Sequence, residues 1–153
     1  MIVTMRKIKQ IIVHCSATGP QMDIGASDID QWHKAKGWAA IGYNYVIRRD
    51  GTLENGRDLD GDGNVDEEMG AHAYGFNANS IGICLAGGVD EKGKPDPNFT
   101  PEQWQTLAAV VRRLTKAHPE AVVLGHRDLP GVRKACPSFD VKPWWKNLCE
   151  RAS

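Results

Sequence analysis

The stretch GHRDLPGVRKACPSFD, residues 125–140, decides how the rest of the chain is read. His126 closes the apolar run AVVL at 121–124, which has the length and composition of a buried strand. Cys136 follows ten residues later with Lys134 just ahead of it, and Pro130, Gly131 and Pro137 forbid a continuous helix between them. The segment is therefore a loop able to fold back on itself. A second His–Cys pair, His14 and Cys15, ends the other strongly apolar run, 11–13. Two such strand ends lying side by side would bring His14, His126 and Cys136 together. Two nitrogens and one sulfur suit zinc holding a water in its fourth position.

Working outward, the 153 residues are most simply one domain, 1–153, long enough to bury a sizeable core. Lys plus Arg number 19 and Asp plus Glu number 19, so the formal net charge is zero and nothing in the composition asks for nucleic acid or an anionic membrane as partner. The opening MIVTMRKIKQIIVHC is basic and then apolar, but the apolar run is three residues and carries no small-residue cleavage pattern. It reads as a strand, not a signal peptide. No run approaches the length that spans a bilayer. The four cysteines, Cys15, Cys84, Cys136 and Cys149, are then expected to stay reduced, with metal or core roles.

Strand-like and helix-like segments alternate along the chain. Residues 7–14 are expected to form a first strand. Ser27 is placed as the N-cap of a helix with Asp28 and Asp30 in its first turn; Ile29, Trp32 and His33 share one face, and Gly37 stops it. Residues 43–49 alternate as a strand, Asp50-Gly51 makes a hairpin turn, and 52–55 returns. Residues 80–85 form an apolar strand. Thr100, Pro101 and Gln103 mark the start of the clearest helix, Phe99 staples onto Trp104, and Leu107, Val110, Val111 and Leu114 recur at helical spacing. A short terminal helix is expected over 141–148. The fold class is α/β, a central mixed β-sheet flanked by helices, with no repeat and no second or wall-binding domain.

The motifs HCSAT (14–18), QWHKAKGW (31–38), GYNYVIRRDGT (42–52), GAHAYGFNANSIGICLAGG (70–88), FTPEQ (99–103) and KACPSFD (134–140) resemble, in matching order, the zinc-dependent N-acetylmuramoyl-L-alanine amidases of the T-seven-type phage lysozyme group. The superfamily of that group includes the peptidoglycan recognition proteins, and GHRD at 125–128 is similar to their motif. The resemblance runs from about Ile11 to Trp145 and implies zinc held by His14, His126 and Cys136. It implies catalytic roles for Tyr43 and Lys134 and a place in the substrate groove for His72. His126 and Cys136 stand slightly further apart than in the phage lysozymes, a spacing found in other amidases of the superfamily. Asn44, assigned with His72 to the groove, replaces a histidine of the phage enzyme, so any role of that ring is absent.

The implied reaction is hydrolysis of the amide between N-acetylmuramic acid and L-alanine in bacterial peptidoglycan. Two neutral imidazoles and one thiolate leave zinc a single formal positive charge, enough to polarise a carbonyl and bring a bound water towards a neutral pKa. Tyr43 and Lys134 would stabilise the oxyanion or help move a proton to the departing amine. Three alternatives are weighed against a phage or prophage endolysin: a non-catalytic peptidoglycan-recognition module, a cytoplasmic muropeptide-recycling amidase, and regulation of RNA polymerase by family analogy. Recognition modules of the superfamily typically lose the thiol that Cys136 keeps. A monomer is expected, cytoplasmic before lysis and acting on the wall after release.

Other polar residues have plainer readings. His33 is a packed helix residue, His118 sits at a helix end favoured by the dipole, and Cys84 and Cys15 belong to the core. The run 58–66 departs from the family pattern. Asp58, Asp60, Asp62, Asn64 and Asp66 have the spacing of a calcium loop with Gly63 at its sharp turn, but Met69 occupies the position of the bidentate glutamate. The spacing makes calcium a candidate second cation, and a solvated acidic insertion its alternative.

Overall fold

The computed structural model describes residues 6–151, so the first five residues of the opening segment lie outside the description. The elements are β1 (Gln10–Cys15), α1 (Ala26–Ala35), β2 (Tyr45–Ile47), β3 (Leu53–Asn55), β4 (Ser80–Leu85), α2 (Pro101–Ala117), β5 (Val122–Gly125) and α3 (Val141–Arg151). The strands lie in the order β3-β2-β4-β1-β5. β1 runs parallel to both β4 and β5, β2 runs parallel to β4, and only β3 is antiparallel, as the return arm of the hairpin from β2. The mixed sheet with flanking helices is as the sequence predicts.

Period-two alternation sorts the central strands between two faces. Ile11, Val13 and Cys15 of β1 pack with Ile81, Ile83 and Leu85 of β4 against Leu107, Val110, Val111 and Leu114 of α2 and Val141 of α3. On the other face Ile12 meets Leu124, Leu129 and Ala73, while Val46 and Cys84 pack on Ile29 of α1. His14 has the parity of Ile12 and so belongs to the α1 face. It stands at the carboxyl end of β1, where parallel sheets open their clefts.

The helix starts carry the side-chain chemistry expected of them, with one shift. At α2, Thr100 Oγ1 accepts from Gln103 N (3.1 Å) and Gln103 Oε1 accepts from Thr100 N (3.0 Å), a reciprocal capping box, and the Phe99 and Trp104 rings meet edge-on at 5.5 Å. The amide of Gln103 continues inward, donating to the carbonyls of Ala86 (2.8 Å) and Ile47 (3.2 Å), so one residue both caps α2 and docks it on the sheet. In α1 the cap is Gly25 and not Ser27. Asp28 accepts from Gly25 N (2.9 Å), and Glu54, far along the chain, accepts from Ala26 N (2.9 Å).

The acidic insertion is pinned to the sheet by its far end. Val65 is buried, Asp66 accepts from the Tyr45 hydroxyl and faces Arg113 Nη1 at 3.4 Å, and Asn44 Nδ2 donates to the carbonyls of Val65 (2.9 Å) and Glu68 (2.8 Å). Asn44 Oδ1 accepts from Gly82 N (2.8 Å), which ties the same residue to β4.

Candidate active site

Strand pairing builds the first half of the site. Val13 lies opposite Gly125 in the parallel pair β1–β5, so the next residue of each strand, His14 and His126, emerge as neighbours. Their ring centroids are 4.5 Å apart. The loop after β5 supplies the third group by turning back on itself. Arg127 N donates to the Cys136 carbonyl (2.9 Å), and its guanidinium donates to the Ala135 carbonyl (3.3 Å) and to Asp140 (2.6 Å). Gly125 lets this loop come close, since a Cβ there would stand 2.9 Å from Pro137 Cδ. Cys15 N donates to Cys136 Sγ (3.2 Å), which fastens the thiol to the end of β1. One donor atom from each of His14, His126 and Cys136 falls within 4.8 Å of the others, a group that could hold a borderline-soft cation such as zinc.

The electrostatics keep the imidazoles unprotonated. Burial drives the His14 pKa well below its ordinary value, and a proton there would be opposed further by any proton on His72 or His126 and by Lys134. His126 moves the same way, through burial and then Lys134. Neutral rings keep lone pairs for a cation. The Cys136 thiol donates to the Cys15 carbonyl (3.8 Å), and in the absence of a metal the neighbouring Cys15 thiol and then burial push its pKa up.

These groups floor a cleft of about 260 Å³ whose walls include Tyr43, His72 and Lys134. The Tyr43 ring lies 5.0 Å from that of His14, and burial pushes its phenol pKa well above the ordinary value, so at neutral pH it is a hydrogen-bond donor. Lys134 is exposed on the rim. His72 is buried, and each ring nitrogen has a partner: Nδ1 lies 2.8 Å from His14 Nε2 and Nε2 lies 3.3 Å from Ser80 Oγ. Two side lobes extend the cleft, one of about 160 Å³ walled by Ile29, Trp32 and Lys36, the other of about 300 Å³ walled by Trp38, Tyr74 and Asn77.

The structure brings together His14, His126, Cys136, Tyr43, Lys134 and His72, and corrects other readings. Asn44 does not reach the cleft: it is wholly buried, and both its amide nitrogen and oxygen are used to bind the insertion and β4. Of the five calcium-loop residues, only the carboxylates of Asp58, Asp60 and Asp62 converge. Asp66 is taken by Tyr45 and Arg113, and of the two glutamates beside Met69, Glu67 accepts from Arg6 N (3.1 Å) and Glu68 from Leu59 N (2.6 Å). Sequence reasoning placed His33 as packing, yet it lines the cleft beside Trp38, with its Nδ1 accepting from Gly42 N at 2.9 Å. The motif QWHKAKGW, which carries both rings, was the available signal. Cys15 is buried as expected, but its backbone serves the site.

Comparison with known proteins places these residues in context. The family model described as N-acetylmuramoyl-L-alanine amidase matches residues 4–139. The endolysin of Klebsiella phage KP32 is 48% identical over 141 residues, covering 92% of this chain and 87% of its own. The endolysin of Escherichia phage T7 is 48% identical over 136 residues, covering 89% and 84%. Among solved structures, the N-acetylmuramoyl-L-alanine amidase LysC from Clostridium intestinale superposes with a TM-score of 0.74 at 26% identity, over 96% of this chain and 86% of that one. Bumblebee PGRP-SA, at a TM-score of 0.68 and 22% identity over 92% and 81%, shares the fold.

Proposed function

The chain belongs to the N-acetylmuramoyl-L-alanine amidase family, and on that premise we propose that it hydrolyses the amide joining N-acetylmuramic acid to L-alanine in bacterial peptidoglycan, as a phage endolysin. The observation that carries the reading is the convergence of His14, His126 and Cys136 at the floor of a cleft that also holds Tyr43 and Lys134. A recognition module needs the cleft but not this donor set.

Zinc is the cation we assign to the three donors, because two neutral imidazoles and one thiol match its preferred ligands. When bound, it supplies Lewis-acid polarisation of the scissile carbonyl and a water acidified towards neutrality. The residues of the chain do the remainder. Lys134 brings a positive charge to the rim where the carbonyl oxygen becomes an oxyanion. Tyr43, protonated at neutral pH, donates a hydrogen bond to the same oxygen or a proton to the departing amine of L-alanine. The cleft and its two lobes take the muramic sugar on one side of the scissile bond and the stem peptide on the other.

Three preparations test this: zinc-loaded protein, chelated protein, and loaded Cys136→Ser. Release of new amino groups from purified peptidoglycan by the first preparation alone supports the assignment. Equal release by the chelated protein would remove the metal from the account.

A further inference from the structure

We propose that His72 and Ser80 form a hydrogen-bond relay that fixes the tautomer of His14 and so decides which of its nitrogens is presented to the metal. The proposal rests on the reading of His14 as a metal ligand. It changes the part given to His72, from a wall of the groove to a positioning residue behind a ligand.

The geometry begins with two nitrogens, His14 Nε2 and His72 Nδ1, 2.8 Å apart in a buried environment. At that distance one nitrogen carries the proton and the other a lone pair. The rings stand at 88°, so one presents its edge to the other. If His14 Nε2 carries the proton, His14 Nδ1 keeps its lone pair for the cluster with His126 and Cys136. His72 Nε2 then carries the second proton and donates to Ser80 Oγ at 3.3 Å. With Nε2 engaged by His72, Nδ1 is the nitrogen left for the cluster, and in the opposite arrangement it carries a proton and has no lone pair to offer. Ser80 Oγ can donate or accept and so completes the relay in either direction. The first direction is the one that leaves His14 a lone pair for the metal, as hydrogen bonds behind a ligating imidazole do.

The position of His72 is built, not incidental. A Cβ at Gly82 would come within 2.6 Å of the imidazole and one at Gly70 within 2.7 Å, so both glycines make room for the ring against β4. Asn77 Oδ1 accepts from the backbone N–H groups of His72 and Ala73, both at 2.9 Å, and holds the loop that carries the ring. Ser80, at the first position of β4, is wholly buried.

Two measurements decide the proposal. Long-range proton–nitrogen correlation spectra of the full chain, metal-free, report the His14 tautomer directly. The relay predicts protonated Nε2 in the wild type and a shift towards protonated Nδ1 in His72→Ala and Ser80→Ala. Competition with a fluorescent chelator then reports zinc affinity: His72→Ala is expected to weaken it about 10- to 100-fold, the usual range for such partners. His72→Asn, whose Oδ1 takes the place of the accepting Nδ1, is expected to recover most of that loss, and Ser80→Ala to lose less than His72→Ala. A His14 protonated at Nδ1 in the wild type, or a His72→Ala protein that binds zinc as the wild type does, would overturn the relay. A wild type that takes up no zinc would instead sink the metal assignment, and the metal-free spectra would still decide the tautomer.

Discussion

Arg127 and Cys136 are joined across their loop by a backbone hydrogen bond of 2.9 Å, and the Arg127 guanidinium clasps the same loop through Ala135 and Asp140. A residue next to one candidate ligand thus sets the place of another. Arg127→Ala is expected to lower stability by about 1–2 kcal/mol, since the ion pair with Asp140 is largely exposed and only the carbonyl contact is sheltered. Urea denaturation measures the loss. Zinc affinity should fall alongside it, because Cys136 loses its tether.

Gly82→Ala is the sharpest steric test of the site, because the added methyl meets the His72 imidazole at 2.6 Å. Overpacking of this kind costs about 1–3 kcal/mol, and displacement of His72 should weaken zinc binding as well. Denaturant midpoints and chelator competition on the one variant check both effects.

Gln103→Leu separates fold from function. The buried amide caps α2 and serves the carbonyls of Ile47 and Ala86, so its loss leaves several groups without partners. A destabilisation of about 2–4 kcal/mol is expected. Specific activity per folded molecule should stay unchanged, since this residue lies under the face of the sheet opposite the cleft.

Lys134→Ala and Tyr43→Phe should act on turnover. Removing one group aimed at an oxyanion costs about 100- to 1,000-fold in kcat. Zinc content, read by metal analysis, should remain that of the wild type, and circular dichroism should be unaltered.

Metal-free protein should lose stability in acid through its histidines. The folded-state pKa values of His14, His72 and His126 are depressed, that of His72 to about 3, while unfolded histidine titrates near 6.5. Below that pH the unfolded chain binds more protons than the folded one. The contribution is therefore complete above about pH 6.5 and declines as pH falls, by about 1.4 kcal/mol per unit for each histidine that stays neutral. Denaturation curves of chelated protein at successive pH values give the slope, and the window for His72 reaches to about pH 3.

Much of this was legible in the sequence, for local reasons. Thr100, Pro101 and Gln103 define the start of α2 within four residues, and Asp50-Gly51 defines the hairpin, because the partners are neighbours in the chain. The motif order made His14, His126 and Cys136 readable as a group. What sequence reasoning missed depends on partners far away. The cap of α1 is shared with Glu54, Asn44 is drawn inward by the insertion and by Gly82, and Asp66 is claimed by Tyr45 and Arg113. The pairing of His72 with His14 spans 58 residues and needs two glycines to make room.

The central claim is the identity of the bond that is cut. Mass spectrometry of purified peptidoglycan treated with zinc-loaded protein tests it most directly. The account predicts stem peptides with free L-alanine amino termini and glycan strands bearing intact lactyl carboxylates, with no new reducing ends. New reducing ends, or peptides opened at their cross-links while still attached to muramic acid, would contradict it.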